Sequence, residues 1–171
     1  MDAYTQALTW LARRELSERQ VRDRLSKREY EPDAIDDAVA RLKSERALDD
    51  RRVALACARS AASLKGRGRE RARRAVESLG ISRDLARAAV DEVFTEIDES
   101  ALIARALEKR WPRVAAAGTA PDAVRREIQR IYQALIRQGF PSDRVMQAIK
   151  ARRSNAARDP FESGDPYESG D

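Results

Sequence analysis

The sequence predicts an all-α protein, an elongated array of three tandem three-helix units with nine short helices, and three observations carry that expectation. First, one apolar phrase recurs without gaps. Leu25, Tyr30, Ile35 and Val39 return as Val76, Ile81, Ala86 and Val90, then as Leu135, Phe140, Val145 and Ile149, with Asp33, Asp84 and Asp143 in one slot. Self-similarity at this period marks stacked helical units, each too short to bury a core alone. Second, the apolar residues fall at helical spacing and no segment alternates with period two. Third, capping residues and glycines stand where short helices must start and stop. The units are expected over residues 1–47, 48–98 and 99–153, with a disordered acidic tail over 154–171.

The first unit opens on the stripe Tyr4, Ala7, Leu8, Leu11 and Ala12, the pattern of an amphipathic helix. Ser17 starts the second helix, with Gln20 completing a capping box and Leu16 and Val21 at the staple positions. Pro32 suits the first position of a third helix, whose buried stripe is Ile35, Ala38, Val39 and Leu42. The second unit begins at Leu48-Asp49-Asp50, where Asp49 caps a helix running through Ala54, Cys57 and Ala61 towards Leu64. The paired aspartates read as a helix start, because adjacent side chains diverge there and no third acid stands near to complete a metal site. A fifth helix follows Gly66-Arg67-Gly68 and closes at Leu79-Gly80, with glycine supplying the left-handed residue and Ile81 the hydrophobic contact. Ser82 caps the sixth, which presents Ala86, Ala89, Val90, Val93 and Ile97.

The third unit starts near Glu99 with Leu102, Ile103, Ala106, Leu107 and Trp111. Pro112 and the run Val114 to Ala120 are expected to form a loop, which accounts for a second repeat offset longer than the first. Val124, Ile128, Ile131 and Leu135 mark the eighth helix; Gly139-Phe140 closes it, and Val145, Ala148 and Ile149 face inward on the ninth.

Composition removes several function classes. The 171 residues include no histidine, which excludes Ser-His-Asp and Cys-His catalysis and the commonest zinc ligand. Cys57 is the single cysteine, and its alanine neighbours suit a packed helix face. Neither a catalytic constellation nor a cofactor motif is recognisable, so no enzyme activity, cofactor or metal is expected. No stretch approaches the roughly 18 consecutive apolar residues of a membrane span, and the polar start Met1-Asp2-Ala3-Tyr4 is unlike a secretory signal, so a cytoplasmic monomer is expected. Residues 159–171 carry five acids and no base, leaving +10 on residues 1–158 out of a net +5. A basic body of this kind favours polyanions or an acidic protein surface.

The densest basic run gives the candidate binding residues Lys65, Arg67, Arg69, Arg71, Arg73 and Arg74. With Ala72, Ala75, Val76 and Leu79 facing the core, Arg69, Arg73 and Arg74 are expected to project outward together. The run reads either as a phosphate-contacting patch or as a solvated face of an arginine-rich chain. It lacks interleaved aromatics, which argues against single-strand binding by base stacking. Trp10 and Trp111 sit on apolar helix faces and are expected in the core.

At these residues the chain resembles the RecX family of bacterial regulators of the RecA recombinase. The likeness spans residues 3–152 and rests on Arg13 or Arg14 before Ser17 with Val21 and Leu25; on Leu48-Asp49-Asp50 followed by Val53-Ala54; on Lys65-Gly66 ahead of a basic helix ending near Leu79-Gly80-Ile81; and on Leu135-Ile136-Arg137-Gln138-Gly139-Phe140. The resemblance implies a non-enzymatic modulator that lies in the groove of the RecA filament on DNA and alters, in the inhibitory direction, its ATPase, strand-exchange and co-protease activities. Such a role belongs to homologous recombination, DNA repair and the SOS response, and sequence-independent phosphate contacts with DNA are consistent with it. A direct helical DNA- or RNA-binding module without a recombinase partner is the alternative, although no helix presents the Asn or Gln beside Arg typical of base readout. A structural scaffold is a third class.

Overall fold

The computed structural model describes residues 1–156 and is helical, with no strand among the described residues. In chain order the helices are α1 (Ala3–Leu11), α2 (Glu18–Ser26), α3 (Pro32–Ser44), α4 (Asp50–Arg59), α5 (Arg69–Glu77), α6 (Arg83–Glu96), α7 (Glu99–Glu108), α8 (Pro112–Ala116), α9 (Pro121–Arg137) and α10 (Ser142–Ala156). A π-helical turn, Ser60–Leu64, prolongs α4. The nine expected helices are present, and α8 is an additional single turn where the sequence reading places a loop. Pro112 at its first position and the alanines behind it favour helix, and Val114 anchors the turn in the core. The acidic stretch 159–171 lies outside the described residues, while α10 continues through Ala156.

The repeat is structural. Of its twelve apolar positions all but Tyr30 are buried, and half-buried Tyr30 donates its hydroxyl to the Met1 carbonyl at 2.9 Å. Asp33, Asp84 and Asp143 each occupy the first turn of a helix, α3, α6 and α10, where a carboxylate offsets the positive end of the macrodipole. Ser17 and Gln20 form the expected capping box. Asp49 accepts from the Arg51 and Arg52 backbone amides, and Ser82 accepts from the Leu85 amide. Gly80 and Gly139 close their helices at φ of 81° and 89°. The matching slot of the first unit holds Glu29 at φ 61°, a left-handed residue without glycine's freedom.

Close helix packing runs within the units: α1 and α2 on α3, α4 and α5 on α6, α7 and α9 with α10. The core divides in two. Ala3, Ala7, Leu16, Val21, Leu25, Ile35, Ala38, Val39, Leu42 and Leu48 form the first cluster, and one continuous cluster runs through the second and third units. The face of α1 differs from the sequence reading, because Ala3 and Ala7 point inward and Leu8 stays exposed. Two small residues let α1 lie close against α3, and a leucine at the contact would hold them apart. Leu64 is likewise exposed, because the π turn rotates it off the stripe that Ala54 and Ala61 follow.

Few but specific contacts join the first two units. Ser17 Oγ, fully buried, donates to the Leu79 carbonyl at 2.5 Å. The Glu18 amide donates to Asp50 Oδ1 at 2.7 Å, and Arg52 grips Glu15 through Nε at 2.8 Å and Nη2 at 3.1 Å. Within Leu48-Asp49-Asp50, therefore, Leu48 fills the core, Asp49 caps α4 and Asp50 holds the joint to α2.

Candidate nucleic-acid interface

The second and third units meet at a backbone-to-backbone joint. Gly68 and Glu70 donate their amides to the carbonyls of Gln138 and Gly139 at 2.9 and 3.3 Å. Beside it Glu99, only 4% exposed, draws Arg69 and Arg144 together: Arg69 Nε lies 3.6 Å and Arg144 Nη1 3.2 Å from its Oε2. A buried carboxylate must be paired to be tolerated, and these two guanidiniums come from either side of the joint.

This network corrects one expectation. Arg69 does not project outward with Arg73 and Arg74; its guanidinium is drawn onto Asp91, Glu99, the Phe94 carbonyl and the Phe94 ring. It is a joint residue. Arg73 pairs with Glu70 and Glu77, and Arg74 with Glu70 at 3.1 Å, so the two acids of α5 itself are taken up by two of that helix's four arginines. The Glu70 carboxyl is held below its usual range chiefly by the Arg73 hydrogen bond. The remaining three candidates stay free, since none of the ion pairs among the described residues uses Lys65, Arg67 or Arg71.

The fold adds cations that the sequence reading missed. One cleft beside the joint is lined by Arg71, Arg74 and Arg137 with Glu70 as its only acid. A second is lined by Lys65, Arg105, Lys109 and Arg110. Both clefts border the turn at Gln138 and Gly139, so the free cations ring a rigid joint. The i, i+4 spacing of Arg105 and Lys109 is the one signal in the sequence; their approach to Lys65, about forty residues away, is set by tertiary packing.

The aromatics and the thiol belong to packing. Trp111 is buried with the Arg152 guanidinium 5.3 Å from its ring centroid. Half-buried Trp10 is flanked by Arg24 and Arg28 at 5.7 Å each. Burial pushes the Cys57 thiol up, against the smaller opposing pull of Lys65 and Arg67, which keeps it protonated and unreactive. Among the described residues no helix is long and apolar enough to cross a membrane.

The family model described as "RecX, first three-helix domain" matches residues 3–42. Regulatory protein RecX of Halorhodospira halophila is 30% identical over 155 residues, which cover 91% of each chain. Regulatory protein RecX of Geobacillus kaustophilus is 32% identical over 149 residues, and the match spans 87% of this chain but about half, 53%, of that one. The crystal structure of RecX from Lactobacillus salivarius superposes with a TM-score of 0.75 at 20% identity, over 87% of this chain and 93% of that one. A further RecX crystal structure gives 0.72 at 18% identity, over 86% and 70%. At these identities the two structures establish the likeness of the fold.

Proposed function

Because the chain belongs to the RecX family of regulatory proteins, we propose that it is a non-enzymatic cytoplasmic regulator that binds the RecA recombinase filament on DNA and lowers its ATPase, strand-exchange and co-protease activities. The observation that carries this reading is the ring of cations left unpaired among the described residues, Lys65, Arg67, Arg71, Arg105, Lys109, Arg110 and Arg137, around a joint fixed by backbone hydrogen bonds and by Glu99. Tandem repetition of a similar unit suits a partner that itself repeats, because successive units can engage successive protomers. The cations supply a sequence-independent attraction to the DNA along which such a filament runs.

Co-sedimentation of the purified chain with RecA filaments assembled on single-stranded DNA tests the proposal. Saturable recovery in the pellet, weakening as salt rises, is the expected result. Recovery with naked DNA equal to that with filaments would favour a direct DNA-binding module instead, the reading that the same cations support if no protein partner adds to the affinity.

A further inference from the structure

Four basic side chains converge on one cleft beside α7. Lys65, Arg105, Lys109 and Arg110 line about 160 Å³ with no acid among the lining residues. That volume holds roughly five waters, enough for a phosphate group with part of its hydration. Lys65 comes from the end of the π turn and the other three from the end of α7, so the cluster exists only when the second and third units are docked. Leu64 stands at its rim, 83% exposed, on a rare helical form that recurs at functional sites.

Charge at helix ends does not account for the cluster. Three carboxyl-terminal helix ends meet here, with Lys65, Lys109 and Gln138 as their closing residues, and each brings about −0.5 of an elementary charge. Four cations therefore leave an excess of about two and a half positive charges in one small cleft. Only Arg110 is used internally, donating from Nη1 to the Ala106 carbonyl at 2.8 Å. Arg105 and Lys109, one turn apart, repel each other. Gln138 stands at the cleft's edge with its side-chain oxygen buried and without a hydrogen-bond partner among the described residues. Cations unopposed by any acid among the lining residues are complementary to a tetrahedral oxyanion.

We propose that this cleft seats one backbone phosphodiester of bound nucleic acid. Arg105 and Lys109 contact its oxygens from α7 and Lys65 from the π turn, so that phosphate binding also braces the joint between the two units. The inference rests on the reading of the chain as a regulator that touches DNA, and it assigns that contact to a place outside the basic helix α5.

The test is fluorescence anisotropy with a labelled duplex carrying 5′-hydroxyl ends, titrated across a salt series. The intact chain is compared with Lys65→Gln/Lys109→Gln and with the charge-matched control Lys27→Gln/Arg46→Gln, both checked for folding by circular dichroism. The cleft variant should bind several-fold more weakly, with a salt slope shallower by about one phosphate contact, while the control keeps the slope of the intact chain. A cleft variant with unchanged affinity and slope would overturn the phosphate seat and leave DNA contact by the chain intact. The same variants are also co-sedimented with RecA filaments: a cleft variant that no longer pellets while its duplex affinity is preserved would assign the cleft to an acidic group of the protein partner, and would also overturn the seat. An intact chain that binds no duplex at any salt would remove both the seat and the DNA-contacting reading beneath it.

Discussion

The amide of Gly68 donates to the carbonyl of Gln138 across 2.9 Å, and the two backbone segments approach so closely there that no side chain fits between them. A Cβ on Gly68 would run into the Gly139 carbonyl and come within 2.7 Å of the Phe140 nitrogen. Both obstacles are backbone, so neither can swing aside. Gly68→Ala is expected to cost about 2–3 kcal/mol and to separate the second unit from the third. Urea unfolding monitored by tryptophan fluorescence in a Trp10→Phe background reads this through Trp111, which lies in the third unit.

The left-handed slot shared by Glu29, Gly80 and Gly139 predicts a gain. Glu29 adopts φ 61° with an exposed side chain and no ion pair among the described residues, so the strain at this position is not offset by a contact. Glu29→Gly relieves a left-handed penalty of about 1–2 kcal/mol and adds the entropy cost of glycine, leaving a net stabilisation of about 0.5–1 kcal/mol. A rise in the urea midpoint with unchanged slope is the expected measurement.

Glu18 ties α2 to α3 through Lys43 at 2.8 Å, and within α2 it pairs with Arg22 at 2.9 Å, which itself reaches Asp36 of α3. The Lys43 hydrogen bond, with Arg22 behind it, holds its carboxyl below the ordinary value of 4.5 despite partial burial. A carboxyl with a depressed folded value contributes fully above its unfolded value and loses that contribution as pH falls through the folded value. Glu18→Gln should therefore cost about 0.5–1 kcal/mol at pH 7, with the gap between variant and intact chain closing below pH 4.5. Unfolding curves at about pH 7 and about pH 3 check the sign.

On the proposed reading, the basic residues left without an ion pair among the described residues are the ones that meet DNA. Arg71→Gln/Arg137→Gln removes two free cations from one cleft and should weaken DNA binding several-fold with a shallower salt slope. Arg73→Gln/Glu77→Gln removes a pair already satisfied within α5 and leaves net charge unaltered, so binding should stay within about twofold. Equal losses in both variants would mean that the ion-paired arginines contact DNA as much as the free ones, against this reading.

Periodicity and capping chemistry made most of the fold legible. Apolar spacing marked the helices, and Ser17, Asp49 and Ser82 marked starts, because both signals are local in sequence. What escaped was decided between units. Arg69 belongs to Glu99, thirty residues on, and that pairing leaves no periodic trace. The inward face of α1 is set by close approach to α3, which favours Ala3 and Ala7 over the larger Leu8. The basic run was visible as charge, yet its neutralisation depended on Glu70 and Glu77 turning towards Arg73. The cleft of Lys65, Arg105, Lys109 and Arg110 required the third unit to be docked before it existed.

Regulation of a recombinase filament is tested most directly by titrating this chain into RecA filaments on single-stranded DNA while following ATP hydrolysis. The predicted result is a saturable fall in the rate at substoichiometric to equimolar chain, blunted by Lys65→Gln/Lys109→Gln and by rising salt. An ATPase rate unchanged at a severalfold excess of folded chain over recombinase, at low salt, would contradict such a role.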